Sequence, residues 1–80
     1  MSNLEIQKKV LGMFEEILEV EPGSIKADQT FEELEIDSIF FIRLVVQCET
    51  EYNIQFDDEM LFVAKFPDVK SYISYIETKI

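Results

Sequence analysis

Apolar residues in this chain recur at intervals of three and four, the spacing of one face of a helix. Val10, Leu11, Phe14, Ile17 and Leu18 mark the first such stretch and predict a helix from about Leu4 to Val20. Ser2, with Glu5 three residues on, matches a capping box at its start. Pro22-Gly23 is expected to stop it, because proline disfavours continuation and glycine permits a left-handed turn. A second stretch runs from about Ser38 to Tyr52. Phe41, Val45, Cys48 and Tyr52 form its stripe, with Ile42, Leu44 and Glu49 alongside. Asp37 is its expected N-cap, since a carboxylate there accepts from free backbone N–H groups of the first turn. Asn53 is its expected terminator.

A short third helix is expected from Asp57-Asp58-Glu59 through Met60, Leu61 and Phe62, the acids suiting the positive end of a helix dipole. The fourth follows Pro67 with Asp68 as cap, and Val69, Tyr72, Ile73, Ile76 and Ile80 supply its stripe. Tyr72 and Tyr75 fall at core and edge positions of this helix. Tyr52–Phe56 alternates weakly but has no pairing partner, so strands are not favoured. The fold class is therefore all-α, a four-helix bundle whose third helix is the smallest. Residues 21–37 form a long connection between the first two helices, carrying apolar Ile25, Phe31, Leu34 and Ile36. A long loop with apolar anchors reads as ordered and functional.

Composition narrows the picture further. The 80 residues suffice for a single domain, 1–80, and 48% of them are hydrophobic, so a core is expected without metal or disulfide staples. Cys48 is the one cysteine, which excludes an intramolecular disulfide; with no histidine, the usual zinc ligand set is missing as well. Cys48 lies on the apolar stripe and is expected as a small buried residue. No apolar run approaches the roughly 20 residues that span a bilayer. The N-terminus lacks the basic-then-apolar order of a signal peptide, which makes a reducing cytoplasm the expected home. Seventeen acids against 7 bases give a net charge of −10. Such a surface repels nucleic acid and anionic membrane, and attracts proteins with basic patches.

The candidate chemistry centres on Ser38, which follows an acidic loop and opens the second helix. A serine hydrolase needs a base beside its nucleophile. Histidine is absent, and no Ser-x-x-Lys pattern surrounds Ser38. Glu32, Glu33, Glu35 and Asp37 form a run of the kind that is normally solvated surface. No catalytic residue is assigned. The loop from Asp28 lacks the alternating oxygen ligands and central glycine of an EF-hand, and no metal site is expected. Taken alone, Asp-Ser at a helix start is a cap. A serine without a base is also what an attachment point, modified by another enzyme, requires.

The wider sequence favours the second reading. Asp28-x-Thr30-Phe31-x-x-Leu34-x-x-Asp37-Ser38-Ile39, a helix ending Glu49-x-Glu51-Tyr52, and the Phe66-Pro67-Asp68-Val69 entry to the last helix together resemble the acyl and peptidyl carrier protein family. The resemblance covers nearly the whole chain. It implies that Ser38 accepts 4′-phosphopantetheine from coenzyme A through a magnesium-dependent phosphopantetheinyl transferase, and that the thiol of that arm holds an acyl or aminoacyl thioester. It also implies that Asp37 caps the helix and helps present coenzyme A to the transferase. A helix N-terminus suits a phosphodiester, because free N–H groups and the dipole favour negative charge. One departure is Glu35, which stands where the family often has glycine.

The second helix is the expected partner face, with Ile39, Arg43, Val46 and Thr50 on one side and Phe40 near the serine. Carriers of type II fatty acid synthesis typically put acids at several of these places. The mixed Ile39-x-x-Ile42-Arg43-Leu44-Val45 segment looks more like carriers of nonribosomal peptide or polyketide assembly. Phe41 occupies a place that is often small in fatty-acid carriers, where it borders the acyl cavity, so a long lipid is not expected between the helices. The expected function is a stand-alone, monomeric carrier, not an enzyme, serving a loading enzyme and downstream synthase, condensing or tailoring enzymes. A fatty-acid carrier, a D-alanyl carrier and an unmodified acidic interaction module are the alternatives.

Overall fold

The computed structural model describes residues 3–80, so the Ser2 half of the expected capping box lies outside the described residues. Helix α1 spans Asn3–Leu18, α2 spans Ser38–Tyr52 and α3 spans Val69–Lys79. The all-α expectation holds, with one correction. The short third helix is not an α-helix but two 3-10 turns, Asp58–Met60 and Val63–Lys65, separated by Leu61 and Phe62. Fifteen-residue periodic runs sustain α2, whereas the segment before Pro67 is too short and irregular to repay helix nucleation. No strand occurs among the described residues; Thr30 and Asp68 meet in an isolated antiparallel bridge.

Each apolar stripe faces a shared core. Ile6, Val10, Met13 and Phe14 come from α1, Phe41, Leu44, Val45 and Cys48 from α2, and Val69, Tyr72, Ile73 and Ile76 from α3. Ile25, Phe31 and Ile36 descend into it from the long loop, and Phe56 and Phe66 from either side of the 3-10 turns. Aromatic rings dominate the centre. Phe41 lies 6.1 Å from Phe31, 5.8 Å from Phe66 and 6.0 Å from Tyr72, centroid to centroid. These are tilted arrangements of the kind that aromatic quadrupoles favour. Cys48 is fully buried; the Tyr72 hydroxyl donates to its sulfur at 3.4 Å, and desolvation raises its thiol pKa to about 11. It is packing, not a reactive thiol.

The helix ends explain the loop. The first helix stops at Leu18, two residues before the expected Val20 and ahead of Pro22-Gly23. Glu19 adopts φ 57°, with Val20 N–H donating to Glu15 O and Glu19 N–H to Glu16 O. This is a Schellman closure built on a non-glycine residue. The Glu15 carboxylate then accepts from Gly23 N–H at 2.7 Å and Ile25 N–H at 3.3 Å, which ties the start of the loop to α1. Midway along the loop, carbonyls of Gln29 and Ala27 accept from Val69 and Lys70 N–H, so the loop satisfies orphan donors of α3. Asp68 and Ser71 complete a capping box on the same helix.

Candidate functional site

The approach to Ser38 is built from one local turn. Thr30 and Glu33 cap each other: Thr30 N–H donates to Glu33 Oε1 at 3.1 Å, and Glu33 N–H to Thr30 Oγ1 at 2.9 Å. The turn closes when Ile36 N–H reaches Phe31 O and Glu35 N–H reaches Glu32 O. That closure puts Glu35 at φ 55°, a left-handed conformation. The departure from glycine therefore sits where glycine has a physical use, because a Cβ is disfavoured there. Phe31 and Ile36, both buried, pin the turn to the core. Sequence reasoning did not use the Thr30-x-x-Glu33 box, although its spacing was legible.

Directly after Ile36, Asp37 takes extended backbone and caps α2. Its Oδ1 accepts from Phe40 N–H at 2.9 Å, as expected of this residue. Ser38 is the first helical residue and is exposed. The N–H groups of the first turn have no intrahelical acceptors, and the dipole is positive at this end. An exposed hydroxyl with amide donors beside it fits a phosphate ester.

The expected partner face is on the surface. Ile39 is 70% and Val46 55% exposed, and Arg43 and Thr50 are exposed with them. Phe40 is half-buried, and its ring lies 6.0 Å from the Arg43 guanidinium carbon. The Thr50 hydroxyl folds back onto Val46 O at 2.9 Å. Ile42, which lies alongside the buried stripe, is exposed. It sits one position off the inward face set by Phe41, Leu44, Val45 and Cys48. Residues 38–48 contain no acid, and Arg43 is their one charge, in a chain with 17 acids. An open groove of about 710 Å³ separates this face from the end of α1, with Ile17, Phe40, Ile42 and Val46 among its lining residues. Among the described residues, no group of three or more potential metal ligands is gathered, and no helix is long and apolar enough to cross a membrane.

A three-helix frame with a long ordered loop delivering an exposed, capped serine to a helix start defines a carrier-type domain. Comparison with known proteins makes this specific. Residues 8–76 match the family described as "Phosphopantetheine attachment site". The chain is 30% identical over 77 residues to an acyl carrier protein of Rhodococcus erythropolis, covering 94% of this chain and 85% of that protein. It is 32% identical over 75 residues to the meromycolate extension acyl carrier protein of Mycobacterium leprae, covering 91% of this chain and 65% of that one. The crystal structure of an acyl carrier protein from Thermotoga maritima superimposes with a TM-score of 0.78 at 28% identity, covering 99% of this chain and 91% of that chain. The chain belongs to the phosphopantetheine-attachment family of carrier proteins. Its prosthetic group is a covalently attached 4′-phosphopantetheine, and its function is that of an acyl carrier protein, a family not itself catalytic. Members work with a phosphopantetheinyl transferase and with acyl-handling enzymes.

Proposed function

We propose that Ser38 bears the 4′-phosphopantetheine arm and that residues 1–80 act as a single non-catalytic carrier domain in the cytoplasm. The observation that carries this reading is the exposed Ser38 at the start of α2, immediately after the capping Asp37. The arm supplies a thiol that holds cargo as a thioester. The protein's own contribution is positional. Asp37 fixes the first turn by bonding Phe40 N–H, and Ser38 beside it is exposed. The N-terminal amides and dipole favour the phosphate once it is bound. Asp37, beside the hydroxyl, helps present coenzyme A to the transferase. A base from the transferase takes the serine proton as the oxygen attacks the pyrophosphate of coenzyme A and adenosine 3′,5′-bisphosphate leaves, so the absence of histidine from this chain is no obstacle.

Ile39, Phe40, Arg43, Val46 and Thr50 form the docking face in this reading. Their chemistry supports a carrier for nonribosomal peptide or polyketide assembly, because an apolar face with one cation suits a partner that presents apolar surface and a carboxylate. The aromatic packing around Phe41 supports the same assignment, since it leaves little interior space for a long lipid. A specific observation favours the second reading, type II fatty acid synthesis: the relatives are named acyl carrier protein and meromycolate extension acyl carrier protein. Intact mass after co-expression with a promiscuous phosphopantetheinyl transferase tests the attachment. The expected result is a gain of one phosphopantetheine that disappears in Ser38→Ala. No gain, or a gain that survives the substitution, overturns the assignment. Acylation of the holo protein by the candidate loading enzymes then separates the two pathways.

A further inference from the structure

The end of α1 and the outward side of α2 wall the open groove, and the two walls differ in sign. On the α1 wall stand Glu16 and Glu19, both exposed. They lie at a helix C-terminus, where the dipole adds partial negative charge. On the α2 wall stands Arg43, the one charge of residues 38–48. The Phe40 ring, 6.0 Å from the guanidinium carbon, accompanies that cation without neutralising it. Between the walls lie Ile17, Ile42 and Val46, with Ile42 43% and Val46 55% exposed. Among the described residues, none of Glu16, Glu19 and Arg43 enters an ion pair; the pairs that form, Lys9–Glu51 and Lys79–Asp57, lie outside the groove. The groove therefore offers apolar surface between unpaired charges of opposite sign.

We propose that this groove takes one amphipathic helix of a partner enzyme, and that the charges on its walls fix the direction in which that helix lies. The inference rests on α2 as the docking face and adds the end of α1 to it. A purely apolar ligand would strip water from three charges without pairing them, which is costly. A helix with an apolar ridge, a base on one flank and an acid on the other satisfies the whole lining. The length agrees: Phe40 to Gln47 spans about 10 Å by helical rise, about two turns of a docked helix, which accommodates a ridge spaced i, i+3, i+4 and i+7. Turning such a helix end for end in the groove exchanges its flanks. Only one direction sets its base against Glu16 and Glu19 and its acid against Arg43; the other puts like charges together on both walls. A second copy of this chain is a poorer occupant, since each copy carries a net charge of −10.

The test titrates the holo protein with a stapled helical peptide of about 14 residues, at about 0.15 M salt to screen non-specific attraction. The peptide has a leucine ridge, lysines on one flank and glutamates on the other. Amide NMR shifts are expected at Ile17, Ile42, Val46 and Gln47. Binding is expected to weaken about 3–10-fold in Arg43→Glu, the scale of exposed charge pairs, and the order of parent and variant to reverse for a peptide with lysines on both flanks. Lys70→Glu, the same change of charge on α3, does neither; if it matches Arg43→Glu, the peptide reads net charge alone and the proposal is overturned. A spin label at one peptide end broadens the Phe40 and Gln47 ends of the groove unequally, whereas equal broadening overturns the single direction. Shifts confined to Ile39 and Thr50 sink the groove and leave α2 as the docking face. No shift at any α2 residue overturns the proposal and counts against that face as well. A dimer mass in sedimentation without peptide, lost in Arg43→Glu, gives the groove to a second copy and overturns the proposal too.

Discussion

Glu35 is the residue whose conformation and chemistry disagree most. It holds φ 55° in order to close the turn that hands the chain to Asp37, and its side chain is exposed. A left-handed non-glycine residue costs about 1–2 kcal/mol, and glycine gives part of that back as unfolded-state entropy. Glu35→Gly is therefore expected to stabilise the fold by about 0.5–1 kcal/mol in urea unfolding, with Ser38 loading preserved. An unchanged or lower midpoint means that the turn is not strained at this position. The strain was half legible in the sequence. Family resemblance flagged the missing glycine, but only the Ile36-to-Phe31 closure reveals why glycine has a use there. Glu19 carried no such flag. Glutamate is an ordinary helix former, so nothing local announced that α1 ends on it before Pro22-Gly23.

Among the elements, α2 was the most legible and the 3-10 region the least. Asp37 capping, the Ser38 start, the buried Phe41, Val45 and Cys48, and termination at left-handed Asn53 all follow from local rules that agree with one another. The segment between Asn53 and Pro67 offers no apolar repeat longer than one turn, so its conformation is set by tertiary anchors such as Phe56 and Phe66. Ile42, alongside the stripe, is exposed for a simple reason. One helical position of 100° separates a buried neighbour from an exposed one, and residue type does not tell them apart. The outward side of α2 carries its own prediction. Arg43→Glu and Val46→Asp are expected to slow acylation of the holo protein by the cognate loading enzyme about 5–30-fold, the effect of losing about 1–2 kcal/mol of contact. Melting should be nearly unchanged, because both side chains are exposed. Equal acylation rates in the variants and the parent remove this face from the docking surface.

At the scale of the whole molecule, charge opposes the packing that holds the bundle together. Seventeen acids and 7 bases lie on a body of 26 × 26 × 19 Å. At about 0.01 M salt the screening length is about 30 Å, so every carboxylate feels the rest; at about 0.15 M it falls to about 8 Å and the repulsion becomes local. Folding gathers these charges and unfolding spreads them, so screening favours the folded state. Among the described residues, the ion pairs Lys9–Glu51 at 2.9 Å and Lys79–Asp57 at 3.0 Å pull the other way. Both are on the surface, where such pairs contribute little. Raising sodium chloride over that range is therefore expected to raise Tm by about 4–8 °C, the shift that about 1 kcal/mol produces in a domain of this size. Scanning calorimetry at fixed pH reads the effect. A flat or falling Tm would mean that local pairing outweighs the net charge, and that the acidic surface costs the fold nothing.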